Sequence, residues 1–169
     1  MACFLDIETD EGLELPLSED ELAGACDAVL ADANVGRPCY VSLSVVSDEQ
    51  MRELNLEWRD VDAPTDVISL ECERPDDPDL AEGEPCELGD VVLAPAFIAA
   101  QAGSFGTTFA DECRLLWVHG LLHLLGHDHM EEGEALTMQA AEERVLAAIP
   151  TDGTLTDVVL TRHRAGDDE

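Results

Sequence analysis

Twelve consecutive residues, Leu115 to Gly126, carry no charged side chain in a chain of 169 residues that holds 39 acids and eight bases. The run is too short for the ~20 residues that span a bilayer. It therefore has to be buried inside a folded domain, most simply as part of a helix from about Ala110 to Leu125 that Gly126 ends. Apart from the Trp117 indole, its strong hydrogen-bonding side chains are His119 and His123. Burying one unpaired polar ring costs about 1–3 kcal/mol on mutational scales. A lone histidine in such a place would be a core side chain satisfied by backbone groups. Here two stand four residues apart, so their rings share one helix face and can share one ion. Gly126 lets the backbone leave by a left-handed turn, and the chain can then bring His129 to the same ion. Three imidazoles leave the fourth tetrahedral position open, which is the catalytic type of zinc site. His127 alternates away from His129 and reads as a neighbour. Asp128 is either an acceptor for a ligand imidazole or a turn residue bonding local amides. His163 lies in a polar tail and reads as solvated.

All eight bases are arginine, and the net charge is −31. That argues against binding nucleic acid by a broad basic stripe and against docking on an anionic membrane. Dense acidity along the whole chain reads first as a solvating coat, and one without lysine would suit a salt-rich cytosol. The first twelve residues lack the positively charged and apolar regions of a signal peptide and carry Asp6, Glu8, Asp10 and Glu11 instead, so a cytoplasmic location is expected. The six cysteines form no C-x-x-C pair, which excludes a zinc ribbon and a thioredoxin-like motif. Buried free thiols are the expected state.

The remaining elements read as follows. Cys3 to Glu8 predicts a first strand. Ser18 and Glu21 make a capping box, followed by a helix with Leu22, Cys26, Val29, Leu30 and Ala33 on one face, stopped by Gly36. Val41, Leu43 and Val45 alternate with polar neighbours as a strand. Ser47 and Gln50 form a second capping box before a helix carrying Met51, Leu54 and Trp58. Val67 to Cys72 and Leu88 to Leu93 read as strands, and the acidic, proline-containing segment from Glu71 to Glu87 as an exposed loop between them. Pro95 suits a helix N1 position. A last helix, about Glu132 to Ala148, places Leu136, Ala140, Val145 and Leu146 against an acidic outer face. Helices and strands mix without regular alternation, so an α+β fold with a mixed sheet is expected. Residues 1–150 read as one metallohydrolase domain and 151–169 as an acidic polar tail.

The spacing H-x3-H-x2-G-x2-H matches the metzincin proteases in its ligands and glycine. Those enzymes place a glutamate, their general base, directly after the first histidine; here that position is Gly120. A peptidase of that type is disfavoured. Zinc alone lowers the pKa of water to about 7, so phosphodiester hydrolysis needs no separate protein base if something binds the phosphate. Arg59 is a candidate for that role, with a surface salt bridge as the plainer alternative.

His119 to His129 resembles the H-G-x-L-H-L-x-G-x-D-H signature of the YbeY family, bacterial single-strand-specific endoribonucleases of rRNA maturation. Asn55, Arg59 and the run Pro64-Thr65-Asp66-Val67-Ile68-Ser69 are similar to that family's N-x3-R and P-T-D-V-L-S blocks. Leu88-Gly89-Asp90-Val91-Val92 is similar to its L-G-D strand. The resemblance implies a zincin-like α+β fold with a mixed four-stranded sheet and about five helices. It implies one Zn2+ per chain held by His119, His123 and His129. Arg59, His119 and His123 then stand as the catalytic residues, with supporting or substrate-positioning roles for Asp128, Asn55, Thr65, Asp66 and Ser69. It also implies the 16S rRNA precursor and the small ribosomal subunit as partners, in 3′-end maturation and ribosome quality control. A small-substrate zinc hydrolase, or a ribosome-assembly factor with structural zinc, are the alternatives.

Overall fold

A computed structural model describes residues 3–127 and 132–153. Four strands, β1 (Cys3–Thr9), β2 (Cys39–Val45), β3 (Val67–Glu71) and β4 (Cys86–Leu93), form one sheet in the order β1-β2-β4-β3. The first three neighbours in that order run parallel, and β3 is antiparallel to β4 at the edge. Five helices complete an α+β fold: α1 (Glu19–Asp32), α2 (Asp48–Arg59), α3 (Pro95–Phe105), α4 (Phe109–Leu124) and α5 (Glu132–Ala148).

The uncharged segment becomes the centre of the molecule. α4 touches α1, α3, α5, β3 and β4. Leu115, Leu116, Trp117, Val118, Leu121, Leu122 and Leu124 are all buried in the main core. A helix buried on every side needs an apolar surface all round, which accounts for the missing charges. A smaller cluster on the opposite face of the sheet joins Met51 of α2 to Ile68, Val92 and Ala94.

The helix starts obey their local chemistry. Ser18 and Glu21 make both bonds of the capping box, and Pro95 stands at the first turn of α3. Of the second capping box the structure shows one bond, from the Gln50 amide to the Ser47 side chain. Three expectations fail locally. α1 stops at Asp32, its left-handed turn is taken by Asn34 and not Gly36, and Ala33 is exposed. Asn tolerates that conformation because its short side chain bonds locally. Trp58 is 57% exposed and Leu136 61%, so neither joins the core. Met138, Ala141, Val145 and Leu146 form the inner face of α5.

The L-G-D stretch has a steric reason. The pairing of β2 with β4 shifts between Tyr40 and Val41, and the bulge falls at Leu88-Gly89. Gly89 has φ +134°, and a Cβ there would lie 2.1 Å from the Leu70 carbonyl oxygen, so glycine alone fits. The acidic loop is partly tied down: Cys72 and Glu73 extend the hairpin to Leu88 and Glu87, and Arg37 donates to the carbonyls of Ala81 and Glu84.

Five of the six free thiols are buried, and Cys72 is exposed. Among the described residues no helix is long and apolar enough to cross a membrane.

Candidate metal centre

α4 ends in a Schellman motif. Gly126 takes φ +97°, its amide donates to the His123 carbonyl, and the His127 amide donates to Leu122. This turn folds the chain back over the last turn of the helix. The His127 carbonyl is thereby placed 2.9 Å from His123 Nδ1. A carbonyl only accepts, so Nδ1 of His123 carries the proton.

His119 is held from another element. Its Nδ1 lies 2.8 Å from Glu142 Oε1 of α5, with both side chains out of contact with solvent. A carboxylate there takes the Nδ1 proton in a hydrogen bond and fixes the same tautomer. With Nδ1 protonated, a neutral ring at either position turns the acceptor lone pair of Nε2 toward the other. Those two nitrogens face each other at 3.1 Å, with the rings nearly perpendicular. Two lone pairs at that distance repel unless a cation lies against both. Ligand bonds of about 2.0–2.1 Å to a tetrahedral zinc put two nitrogens about 3.3 Å apart, close to what is found. The pair therefore fits a zinc-type ion in both donor chemistry and spacing. Among the described residues no group of three or more potential ligands is assembled. His129, the expected third ligand, and Asp128 lie outside the described residues, as does His163.

Gly120, the residue after the first histidine, faces the sheet. A Cβ there would meet Val91 Cγ1 at 3.0 Å, Ser69 Oγ at 3.2 Å and Val67 Cγ2 at 3.4 Å. The position thus has no room for a glutamate, whatever its chemistry. Ser69 donates to the Gly120 carbonyl at 3.0 Å, pinning β3 to the histidine helix.

Arg59 ends α2, and its Nη2 reaches the carbonyl of Val67 at 3.5 Å. It makes no ion pair with the described residues, in a chain where acids outnumber bases 39 to eight. Asn55, one turn earlier and buried, donates to Ala63 at 2.8 Å and braces the loop leading into β3. Asp66, buried as well, accepts from the Val67 amide at 2.7 Å and from Gln101 at 3.0 Å. Gln101 also reaches Glu112, which accepts from Thr107 at 2.8 Å. Thr65 bonds Asp66 at 3.4 Å. Asp66 and Thr65 therefore tie β3 to α3 and to the start of α4, about two turns from His119.

Burial lowers the pKa of His127, which keeps that ring neutral; Asp32 opposes the shift. The residue that sequence reasoning missed is Glu142. It stands among the acids of the last helix, beside Glu143, and its partner is 23 positions away. Only the spacing Met138-Ala141-Glu142-Val145 along the inner face of α5 could have placed it inside.

The family model of endoribonuclease YbeY matches residues 7–150. A protein named endoribonuclease YbeY from Desulfitobacterium hafniense is 40% identical over 153 residues, covering 86% of this chain and 97% of its own. One of the same name from a Mycobacterium species is 37% identical over 145 residues, covering 84% and 81%. A solution structure of a Thermotoga maritima protein has a TM-score of 0.54 at 22% identity, covering 86% of this chain and 91% of that one, a likeness of fold.

Proposed function

The chain belongs to the endoribonuclease YbeY family, and on that premise we propose that it is a zinc-dependent, single-strand-specific endoribonuclease. Its substrate in this reading is the 16S rRNA precursor, cleaved in the cytoplasm during 3′-end maturation and quality control of the small ribosomal subunit. Residues 1–150 are the metallohydrolase domain and 151–169 a polar tail. The observation that supports metal dependence is the facing of His119 and His123 through their Nε2 atoms at 3.1 Å.

In this reading His119, His123 and His129 hold the ion. Zinc there would polarise a phosphoryl oxygen and make water a stronger nucleophile at neutral pH. Glu142 and the His127 carbonyl retain the Nδ1 protons, so both rings keep their lone pairs turned inward. Arg59 binds the non-bridging oxygens of the phosphate, for which a planar guanidinium is well shaped. Its place is set by the end of α2 and by the brace from Asn55. Gly120 cannot act as a base, so no glutamate-driven peptidase step exists here.

The test uses a labelled single-stranded RNA and its duplex over a salt series. The wild type should bind one zinc per chain and cleave only the single strand. His123→Ala should lose both metal and cleavage. Full cleavage by a metal-free His123→Ala protein would reject the reading, and peptide hydrolysis with RNA left intact would favour the small-substrate alternative.

A further inference from the structure

Two of the eight arginines, at 162 and 164, lie outside the described residues. Of the other six, four are committed to carboxylates or carbonyls of the described residues. Arg52 pairs with Asp62 and Arg144 with Asp32. Arg114 is shared by Glu21, Asp111 and Asp152. Arg37 donates to the carbonyls of Ala81 and Glu84. The remaining two are Arg59 and Arg74.

Arg74 belongs to the acidic segment after β3, yet its guanidinium lies on the bare backbone of Gly126. A Cβ on that glycine would stand 2.6 Å from Arg74 Nη1 and 2.7 Å from Cζ. Gly126 is three residues beyond His123 and adjoins His127, whose carbonyl holds His123. Arg59 meets Val67, whose side chain faces Gly120 beside His119. The two guanidiniums are thus placed at opposite ends of β3, Arg59 at Val67 and Arg74 at Glu71, roughly 13 Å apart along the strand. Arg74 Nη2 pairs with Glu71 at 3.0 Å, and both side chains are nearly half exposed. Such a pair is worth little in water. Nη1 makes no hydrogen bond to the described residues, and the side chain is open to solvent.

We propose that Arg74 is a second phosphate-binding residue, which takes a backbone phosphate of single-stranded RNA at the Gly126 end of the histidine segment while Arg59 takes one at the Gly120 end. The inference rests on the nuclease reading above. It explains how a chain at −31 can hold a polyanion with two local contacts. A helix C-terminus also favours a nearby cation, and that interaction is the competing account of Arg74.

Steady-state cleavage of a labelled single-stranded RNA, measured over a salt series, separates the two. Arg74→Ala should raise KM about tenfold at low salt, as expected for loss of a charge-assisted bond. The slope of log(1/KM) against log salt should become shallower by about 0.7, one phosphate contact on a single strand, with kcat retained. Arg74→Lys should keep the slope, and Glu71→Gln, which frees the guanidinium, should lower KM. An unchanged slope in Arg74→Ala, including one accompanied by a lower melting temperature, would overturn the proposal and leave the nuclease reading intact. A wild type that neither binds nor cleaves RNA would overturn both.

Discussion

His119 Nδ1 and Glu142 Oε1 lie 2.8 Å apart across the contact between α4 and α5, and neither side chain meets solvent. The orientation of a candidate metal ligand is thus set by the packing of a separate helix. Glu142→Ala leaves the His119 N–H buried without its acceptor, at about 1–3 kcal/mol of stability. Zinc affinity should fall about 10–100-fold, the usual effect of losing such a partner. Melting of the metal-free protein gives the first quantity and a chelator-competition titration the second. Unchanged zinc affinity in a folded Glu142→Ala protein would contradict the role.

Gly120 is where a protease glutamate would stand, and steric contact forbids it. Gly120→Ala gains about 1 kcal/mol in helix propensity but pushes into Val91 and Ser69, where overpacking typically costs about 1–3 kcal/mol. A net loss of stability is expected by thermal melt. Gly120→Glu should fail to fold, and a stable Gly120→Glu protein with peptidase activity would contradict the packing account.

These two residues show what the sequence could and could not reveal. The apolar run, the capping residues and the glycine of the α4 turn act within a few positions, so their structures follow from local chemistry. The histidine spacing is likewise local. Glu142 is different, because Glu142 and Glu143 are equivalent as neighbours in sequence and only the approach of α4 decides which one turns inward. Trp58 and Leu136 fail in the opposite sense: their helical spacing suits a core face, but among the described residues no other element comes to cover them. Asp66 belongs to a motif legible in sequence, but its partner Gln101 is 35 positions away, beyond the reach of local spacing.

Thiol chemistry should divide the cysteines cleanly. Burial pushes Cys113 up to about 12, and burial with the neighbouring Cys39 does the same for Cys86. A contact with Cys3 and burial raise Cys26 strongly. Thiols in that state are inert. In the native protein Cys72 alone of the described cysteines should react with Ellman's reagent, and all six should react in denaturant. Two or more fast native thiols would contradict this.

The Arg144–Asp32 pair joins α5 to α1, with Arg144 Nε 2.8 Å from Asp32 Oδ1. Its hydrogen bond to Arg144 lowers the Asp32 pKa below the usual carboxylate value. A depressed carboxylate adds stability above its unfolded pKa of about 3.9, which is lost as pH falls through the folded value. Arg144→Ala should therefore destabilise the protein at pH 7 by at most about 1 kcal/mol, since Arg144 is largely exposed. The difference from wild type should shrink below pH 4, read by denaturant melts. A difference that grows on acidification would have the wrong sign.

The central claim is that the facing nitrogens of His119 and His123 hold an ion on which RNA cleavage depends. It is tested most directly by the cleavage rate of a single-stranded RNA after the protein is stripped with a chelator and again after one equivalent of zinc is returned. The account predicts loss of cleavage on stripping and recovery on return. Undiminished cleavage by the stripped protein would contradict it.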